Sequence, residues 1–273
     1  MNKCKVIAIA NQKGGVGKTT TTFNLGVALS NMGKKVLLVD SDPQGDLTIY
    51  AGIKDQEKLQ VTLANLLEDA IHDNPIEINK AIIHHKEHID LIPSNLDLSL
   101  AESDLFQAFS REKCLSDCLD LVKDKYDYIL VDCMPSLGML TVNALTAADS
   151  VIIPVQSQFL AARGMTHLFQ SIDLVKKHTN KNLKVEGVVL TLVDNRTNLS
   201  KEIRESLDEQ YGSHVKIFDT QIPNAVKAAE STSYGESVFQ YDKTGKVAHG
   251  YHELAKEVDY GNRKTKNEPT FDR

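Results

Sequence analysis

Lys13-Gly-Gly-Val-Gly-Lys-Thr-Thr20 is the stretch on which the reading of this chain turns. It follows an apolar run, Val6 to Ala10, and opens a segment with helical spacing. Strand, glycine-rich loop and helix together are the setting a phosphate-binding loop requires. Gly14, Gly15 and Gly17 are expected to take positive φ angles and let the backbone approach a ligand closely. Successive N–H groups, Val16 among them, then turn inward as an anion nest, and the helix N-terminus behind it favours bound phosphate. Lys18 is placed to reach the β- and γ-phosphates of a bound nucleotide, and the Thr19 hydroxyl to ligate Mg²⁺. Two positions depart from the plain pattern. Gln12 stands where glycine is expected five residues before Gly17, and an additional lysine, Lys13, stands at the front of the loop.

Outward from the loop, short apolar runs alternate with helical patterns. The expected strands are Val6–Ala10, Val36–Val39, Ile89–Ile92, Tyr128–Val131, Val151–Val155, Val185–Leu190 and Val215–Phe218. Nearly unbroken apolar runs of this length read as strands buried on both faces of a parallel sheet. Leu25, Ala28, Leu29 and Met32 sit at helical spacing, as do Leu115, Cys118, Leu119 and Val122, and Met165, Leu168, Phe169 and Ile172. Gly33 stands where a helix C-cap glycine belongs. The expected fold is α/β, a doubly wound, mainly parallel sheet with helices on both faces. Residues 1–260 read as a single domain and 261–273 as a polar, mobile tail. The polar region from Lys54 to His88 reads as a helix plus loops.

A chain of 273 residues is ample for one large α/β core. Its formal net charge is -6, so any nucleic-acid binding has to use a local basic patch. No apolar run approaches transmembrane length. Met1 to Lys5 leads straight into the first strand, so no signal peptide is expected. The four cysteines show neither a disulfide framework nor paired metal-ligand spacing, which fits a reducing cytoplasm. Cys118 lies on an apolar stripe and Cys133 follows an acid; both read as buried, inert thiols.

Two acidic segments complete the expected site. The second strand runs into Asp40-Ser-Asp42-Pro-Gln-Gly45, at the carboxyl end of the sheet where ligands bind. A carboxylate there holds a metal-bound water or orients an attacking one. The strand Tyr128–Val131 runs into Asp132, the position of a second Mg²⁺ element acting through a bound water. Basic residues gather late in the chain: Arg196, Lys201, Arg204, Lys227, Lys243 and Lys246. They read either as solvated surface charge or as a face that tracks a phosphate backbone.

Taken in order, these motifs resemble the ParA/Soj family of partitioning ATPases, P-loop proteins with a deviant Walker A motif, related to MinD. The resemblance rests on Asn11-Gln-Lys-Gly-Gly-Val-Gly-Lys-Thr-Thr20, Val39-Asp-Ser-Asp-Pro-Gln-Gly45 and Tyr128-Ile-Leu-Val-Asp132. It continues through Ser136-Leu-Gly138, Asn143-Ala-Leu-Thr146, Val151-Ile-Ile-Pro-Val155 and Asp194-Asn-Arg-Thr-Asn-Leu199. It implies that Lys13 is the signature lysine, reaching across a nucleotide-sandwich homodimer to the partner's phosphates. Lys18 matches the ordinary phosphate lysine, Thr19 the Mg²⁺ ligand and Thr20 a phosphate contact. Asp42 matches the acid that positions or activates the hydrolytic water, and Asp40 and Asp132 match acids around the metal. Pro223 and Asn224 fall in the adenine-side segment, and Arg196 and Lys227 match positions linked to non-specific DNA binding.

The implied function is ATP-dependent DNA partitioning by a cytoplasmic, nucleoid-associated dimer, released when a ParB-like centromere-binding partner stimulates hydrolysis. Met134 stands where the family usually has proline, and Asn224-Ala-Val226 stands where it usually has Arg-Asn-Val. The chain shows no counterpart of the helix-turn-helix extension of the larger plasmid type, so site-specific operator binding is not expected. A MinD-like, membrane-associated positioning ATPase is the alternative. It needs an apolar amphipathic C-terminal helix, whereas here Leu254 and Val258 precede a polar stretch. An iron–sulfur relative needs a second suitably placed cysteine beside Cys133, and a metabolic ligase needs a separate substrate pocket; neither is evident.

Overall fold

The apolar runs pair into one eight-stranded sheet in the computed structural model, which describes residues 4–157, 165–194 and 199–267. The strands are β1 (Lys5–Ile9), β2 (Val36–Ser41), β3 (Ile83–His84), β4 (Asp90–Ile92), β5 (Tyr128–Cys133), β6 (Ser150–Gln156), β7 (Lys184–Val193) and β8 (Ile217–Pro223). Their order across the sheet is β3-β4-β2-β5-β1-β6-β7-β8, with only β3 antiparallel to its neighbour. β1 is central, flanked by β5 and β6. Chain connections leave it in both directions, so the loop after β1 emerges where a doubly wound sheet forms its ligand crevice.

Strand side chains alternate between two buried layers. Val6, Ala8 and Ala10 enter one apolar cluster; Ile7 and Ile9 enter the other. The first layer is closed by α3 (Leu63–Ile71), α5 (Leu98–Leu105), α6 (Cys114–Asp120), α7 (Met139–Ala147), α8 (Met165–His178) and α9 (Leu199–Tyr211), with the short α4 (Ile78–Ala81) beside α3. The second is closed by α1 (Lys18–Asn31), α2 (Asp46–Tyr50), α11 (Val238–Tyr241) and α12 (Lys246–Asn267); α10 (Val226–Tyr234) packs on α2 and α11. Gly33, at φ 80°, takes the left-handed turn after α1, as its position in the sequence predicts.

β1 is shifted by one residue from its apolar run and β4 starts one residue late, while other strands run further than their apolar runs. β2 and β5 continue through Asp40 and Asp132, because backbone pairing does not stop where the side chains turn polar. Asp40 and Asp132 are register partners on adjacent strands. β8 begins two residues later than expected and runs on to Pro223. β3, two residues long, was not anticipated. α12 extends through the expected start of the polar tail as far as Asn267, propagating helical hydrogen bonds from its buried portion around Tyr251, Leu254 and Val258. Pro154 lies inside β6 without disrupting the sheet, since pairing with β1 ends at Ile9–Ile152.

Candidate functional site: a phosphate loop between two acidic strand ends

The loop is held from both sides by buried polar side chains. Asn11 donates through Nδ2 to the Pro154 carbonyl at 2.7 Å and accepts from the Lys13 amide through Oδ1 at 3.0 Å. Thr191, on β7, donates from Oγ1 to the Val16 carbonyl at 2.7 Å. Gly15 and Gly17 take φ angles of 70° and 82°, the left-handed conformation the loop requires. Gly14 does not: its φ is not positive, correcting the expectation that all three glycines supply that conformation. A Cβ built on Gly14 or Gly15 meets no protein atom within 4 Å, and both residues are exposed. Lys13 is half-exposed at the front of this open cradle, and Thr19 and Thr20 are half-buried at its back.

Lys18 opens α1 and is buried, with Nζ 3.3 Å from the Lys13 carbonyl oxygen. Burial pushes its pKa down, opposed by the charges of Asp132, Asp42 and Asp46. Asp132 is also buried, and loss of water raises its pKa, helped by the negative charge of Asp40. The Thr22 hydroxyl lies 3.1 Å from Asp132 Oδ1, and Thr19 hydrogen-bonds the same carboxylate. One face of the first two turns of α1 thus presents Lys18, Thr19 and Thr22 to the end of β5.

Asp40 is fully buried, and its carboxylate bonds brace the chain that follows. Oδ2 accepts from the Thr48 amide at 2.8 Å and from Thr48 Oγ1 at 2.6 Å; Oδ1 accepts from the Asp42 amide at 3.3 Å. Burial raises its pKa to about 7. Asp42 Oδ1 accepts from the Gln44 amide at 2.9 Å, and its pKa too is raised, first by desolvation. Gly45, at φ 65°, then turns the chain into α2. Cys133 is buried in the opposite apolar layer, so the fold separates it from Asp132 although they are neighbours in sequence. All four cysteines are buried and reduced.

The far side of α1 is tied to the segment that follows β8. Asn24 donates to the Tyr50 hydroxyl at 2.9 Å and accepts from the Val238 amide at 2.9 Å, and Tyr50 meets Ser231 at 3.0 Å. Pro223 ends β8, and the Asn224 amide donates to the Val193 carbonyl at 2.9 Å.

The basic residues do not all converge. Arg204 is committed to the Phe218 and Asp219 carbonyls and the Asp219 carboxylate. Lys227 pairs with Asp242 at 3.0 Å while staying exposed, and Lys243 and Lys246 are exposed. Arg196 and the Lys201 side chain lie outside the described residues.

Sequence reasoning missed Asn11, Thr22, Thr48 and Thr191 as parts of the site. Thr22 carried a local signal, since it is one turn beyond Lys18 and therefore on the same face. Asn11 carried one too, standing two residues before Lys13 at the start of the loop motif; Thr48 and Thr191 are brought in by the fold alone. Among the described residues no cluster of His, Cys, Asp or Glu forms a self-sufficient metal cage. A phosphate-loop Mg²⁺ needs none, because phosphates and water supply most of its ligands. The open cradle, the buried lysine and the adjoining Thr19 and Asp132 fit Mg²⁺·ATP.

A family model described as an AAA domain matches residues 4–185. The chain is 46% identical over 254 residues to the sporulation initiation inhibitor protein Soj of Bacillus subtilis, covering 93% of this chain and 98% of that one. It is 40% identical over 259 residues to the chromosome partitioning protein ParA of Caulobacter vibrioides, covering 94% of each. Among solved structures, cobyrinic acid a,c-diamide synthase of Mycobacterium smegmatis, with a bound ATP analogue and magnesium, superposes with a TM-score of 0.82. It is 36% identical, with 98% of this chain and 100% of that one covered.

Proposed function

The chain belongs to the ParA/Soj family of partitioning ATPases, and we propose that it acts as an ATP-gated DNA-binding dimer. Its two phosphate loops would close face to face around the nucleotides. The observation that carries this reading is the open front of the loop. Gly14 needs no glycine for its own φ, and a side chain there would meet nothing in this chain. What remains is close approach from outside the chain, by the bound phosphates and by a second loop facing them, and half-exposed Lys13 stands beside that opening.

Within the site, Lys18 neutralises the β- and γ-phosphate charge, and loop N–H groups from Gly14 to Thr20 hold the phosphate oxygens. Thr19 would ligate Mg²⁺, with Asp132 behind it, and the ion would neutralise charge on the β- and γ-phosphates. Asp40 carries a bracing role: its bonds to Thr48 and to the Asp42 amide hold the Asp42 segment in place. Asp42 positions the water whose oxygen attacks the γ-phosphorus as the bond to the β-phosphate oxygen breaks. Lys13 would add positive charge to the partner's phosphates. Pro223 and Asn224 would line the base. Arg196 and Lys227 would contribute to a DNA surface that a dimer doubles, so that weak patches gain avidity. A centromere-binding protein of the ParB type would stimulate hydrolysis and release, placing the protein in the cytoplasm on the nucleoid.

Fluorescence anisotropy with non-specific duplex DNA tests the proposal. Binding should require ATP and weaken by about tenfold or more between roughly 50 and 200 mM salt. Equal binding with ADP would overturn it, as would ATP-dependent capture by anionic vesicles in place of DNA.

A further inference from the structure

The end of β7 contains a conformation that ordinary strand pairing does not explain. Leu192 is half-buried and has a φ of 52°, the left-handed region that costs a non-glycine residue about 1–2 kcal/mol. Pairing between β7 and β8 shifts register between Leu190 and Val193, so the kink sits in a bulge. Such strain persists where surrounding contacts over-determine it. Here the contacts lie immediately on either side. The Thr191 hydroxyl, 1% exposed, donates to the Val16 carbonyl at 2.7 Å in the phosphate loop. The Val193 carbonyl accepts the Asn224 amide at 2.9 Å, at the start of the turn after β8.

The chain direction explains why the kink is needed. Along a regular strand, alternate side chains share a face while the carbonyls point sideways toward neighbouring strands. At the kink, the Thr191 carbonyl accepts the Ser157 amide at 3.3 Å on the β6 side, whereas the Val193 carbonyl, which a regular strand would send the same way, turns toward the end of β8. β6 and β7 itself lie between β8 and β1, the strand that carries the phosphate loop. Because Val16 precedes α1, its carbonyl lies outside the helix ladder; the buried Thr191 hydroxyl satisfies it and holds that peptide plane in place.

We infer that Thr191–Val193 is a two-ended clamp on the nucleotide cleft. Thr191 is a positioning residue for the phosphate loop, and the Leu192 kink sets the separation between that loop and the Pro223–Asn224 turn. The clamp thereby links phosphate binding to recognition of the base. The inference rests on the proposed base-side role of that turn.

The first test is nucleotide binding by Thr191→Val, which keeps the shape and removes the hydroxyl. ATP and ADP should both bind about tenfold more weakly, a difference of about 1.4 kcal/mol. The preference for ATP over GTP should be unchanged, and Thr191→Ser should recover most of the loss. Leu192→Gly, which frees the kink, should instead reduce the ATP-over-GTP preference several-fold. A residue with a merely structural role would lower the melting temperature of the nucleotide-free protein and leave affinities measured well below it unchanged. ATP affinity in Thr191→Val within twofold of wild type would overturn the positioning role. An unchanged base preference in Leu192→Gly would overturn the spacing role. A further measurement uses the wild-type protein and does not depend on any variant folding. Inorganic tripolyphosphate, which has no base, should slow hydrogen exchange at the Asn224 amide, and unchanged exchange while it is bound would refute the clamp. A wild-type protein that binds ATP but shows no base preference would overturn the base-side reading of the turn itself.

Discussion

Thr48→Val isolates the brace behind Asp42. The substitution conserves volume at a fully buried position, so it opens no cavity. It removes one hydroxyl that makes two contacts: Oγ1 donates to Asp40 Oδ2 at 2.6 Å and accepts the Ser94 amide at 2.9 Å. Loss of the hydrogen bond to a carboxylate costs about 1.5–3 kcal/mol, and the buried Ser94 amide left without this partner adds about 1–3 kcal/mol. Allowing for the retained Thr48 amide bond to Asp40 and for local relaxation, the expected destabilisation is about 2–4 kcal/mol. Urea unfolding without nucleotide would read it as a lower midpoint at unchanged slope. Thr48→Ser keeps the hydroxyl and should recover most of the loss. Because the same bonds hold the segment carrying Asp42, kcat for ATP hydrolysis should fall in Thr48→Val with ATP affinity nearly intact. A stability change below about 0.5 kcal/mol, the range of an unremarkable surface substitution, would refute the bracing role.

Gly14→Val should leave the melting temperature almost unchanged, since a Cβ there meets nothing and φ is not left-handed; it should abolish ATP-dependent dimerisation measured by light scattering. Normal dimerisation would remove the reason given for that glycine. Asp42→Ala should bind ATP normally, hydrolyse it poorly in a phosphate-release assay and remain on DNA as a dimer; ordinary turnover would contradict its role with the water. Gly235→Ala should cost about 1–3 kcal/mol in chemical denaturation, because Gly235 is left-handed and a Cβ there would lie 2.7 Å from Gly52 Cα. A neutral result would show that α2 and α10 are less closely packed than described.

The elements that apolar runs can announce were legible in the sequence. Buried parallel strands advertise themselves through Val6–Ala10 and Val36–Val39, and the loop between them through its glycines. What escaped was tertiary or too short to have a period. β3 has two residues, fewer than any alternation can reveal. Asp40 and Asp132 ended the apolar runs but not the strands, because their backbones still pair with each other's strand. Thr48 and Thr191 look like ordinary strand or helix threonines; only the fold brings one onto Asp40 and the other onto Val16. The sequence also cannot show that Arg204 is occupied by β8, or that Lys227 has Asp242 beside it, since those partners lie 15 residues away from Arg204 and Lys227 respectively.

Under the proposed function each phosphate loop is half of a shared site whose nucleotide state decides whether the protein is one body or two. Size exclusion with light scattering on Asp42→Ala, in ATP and in ADP, tests it most directly. Twice the 30.2 kDa chain mass is expected with ATP and the single-chain mass with ADP. Adding Lys13→Ala to the same protein should return the ATP sample to the single-chain mass. The same mass in both nucleotides, or an ATP dimer indifferent to Lys13, would contradict it.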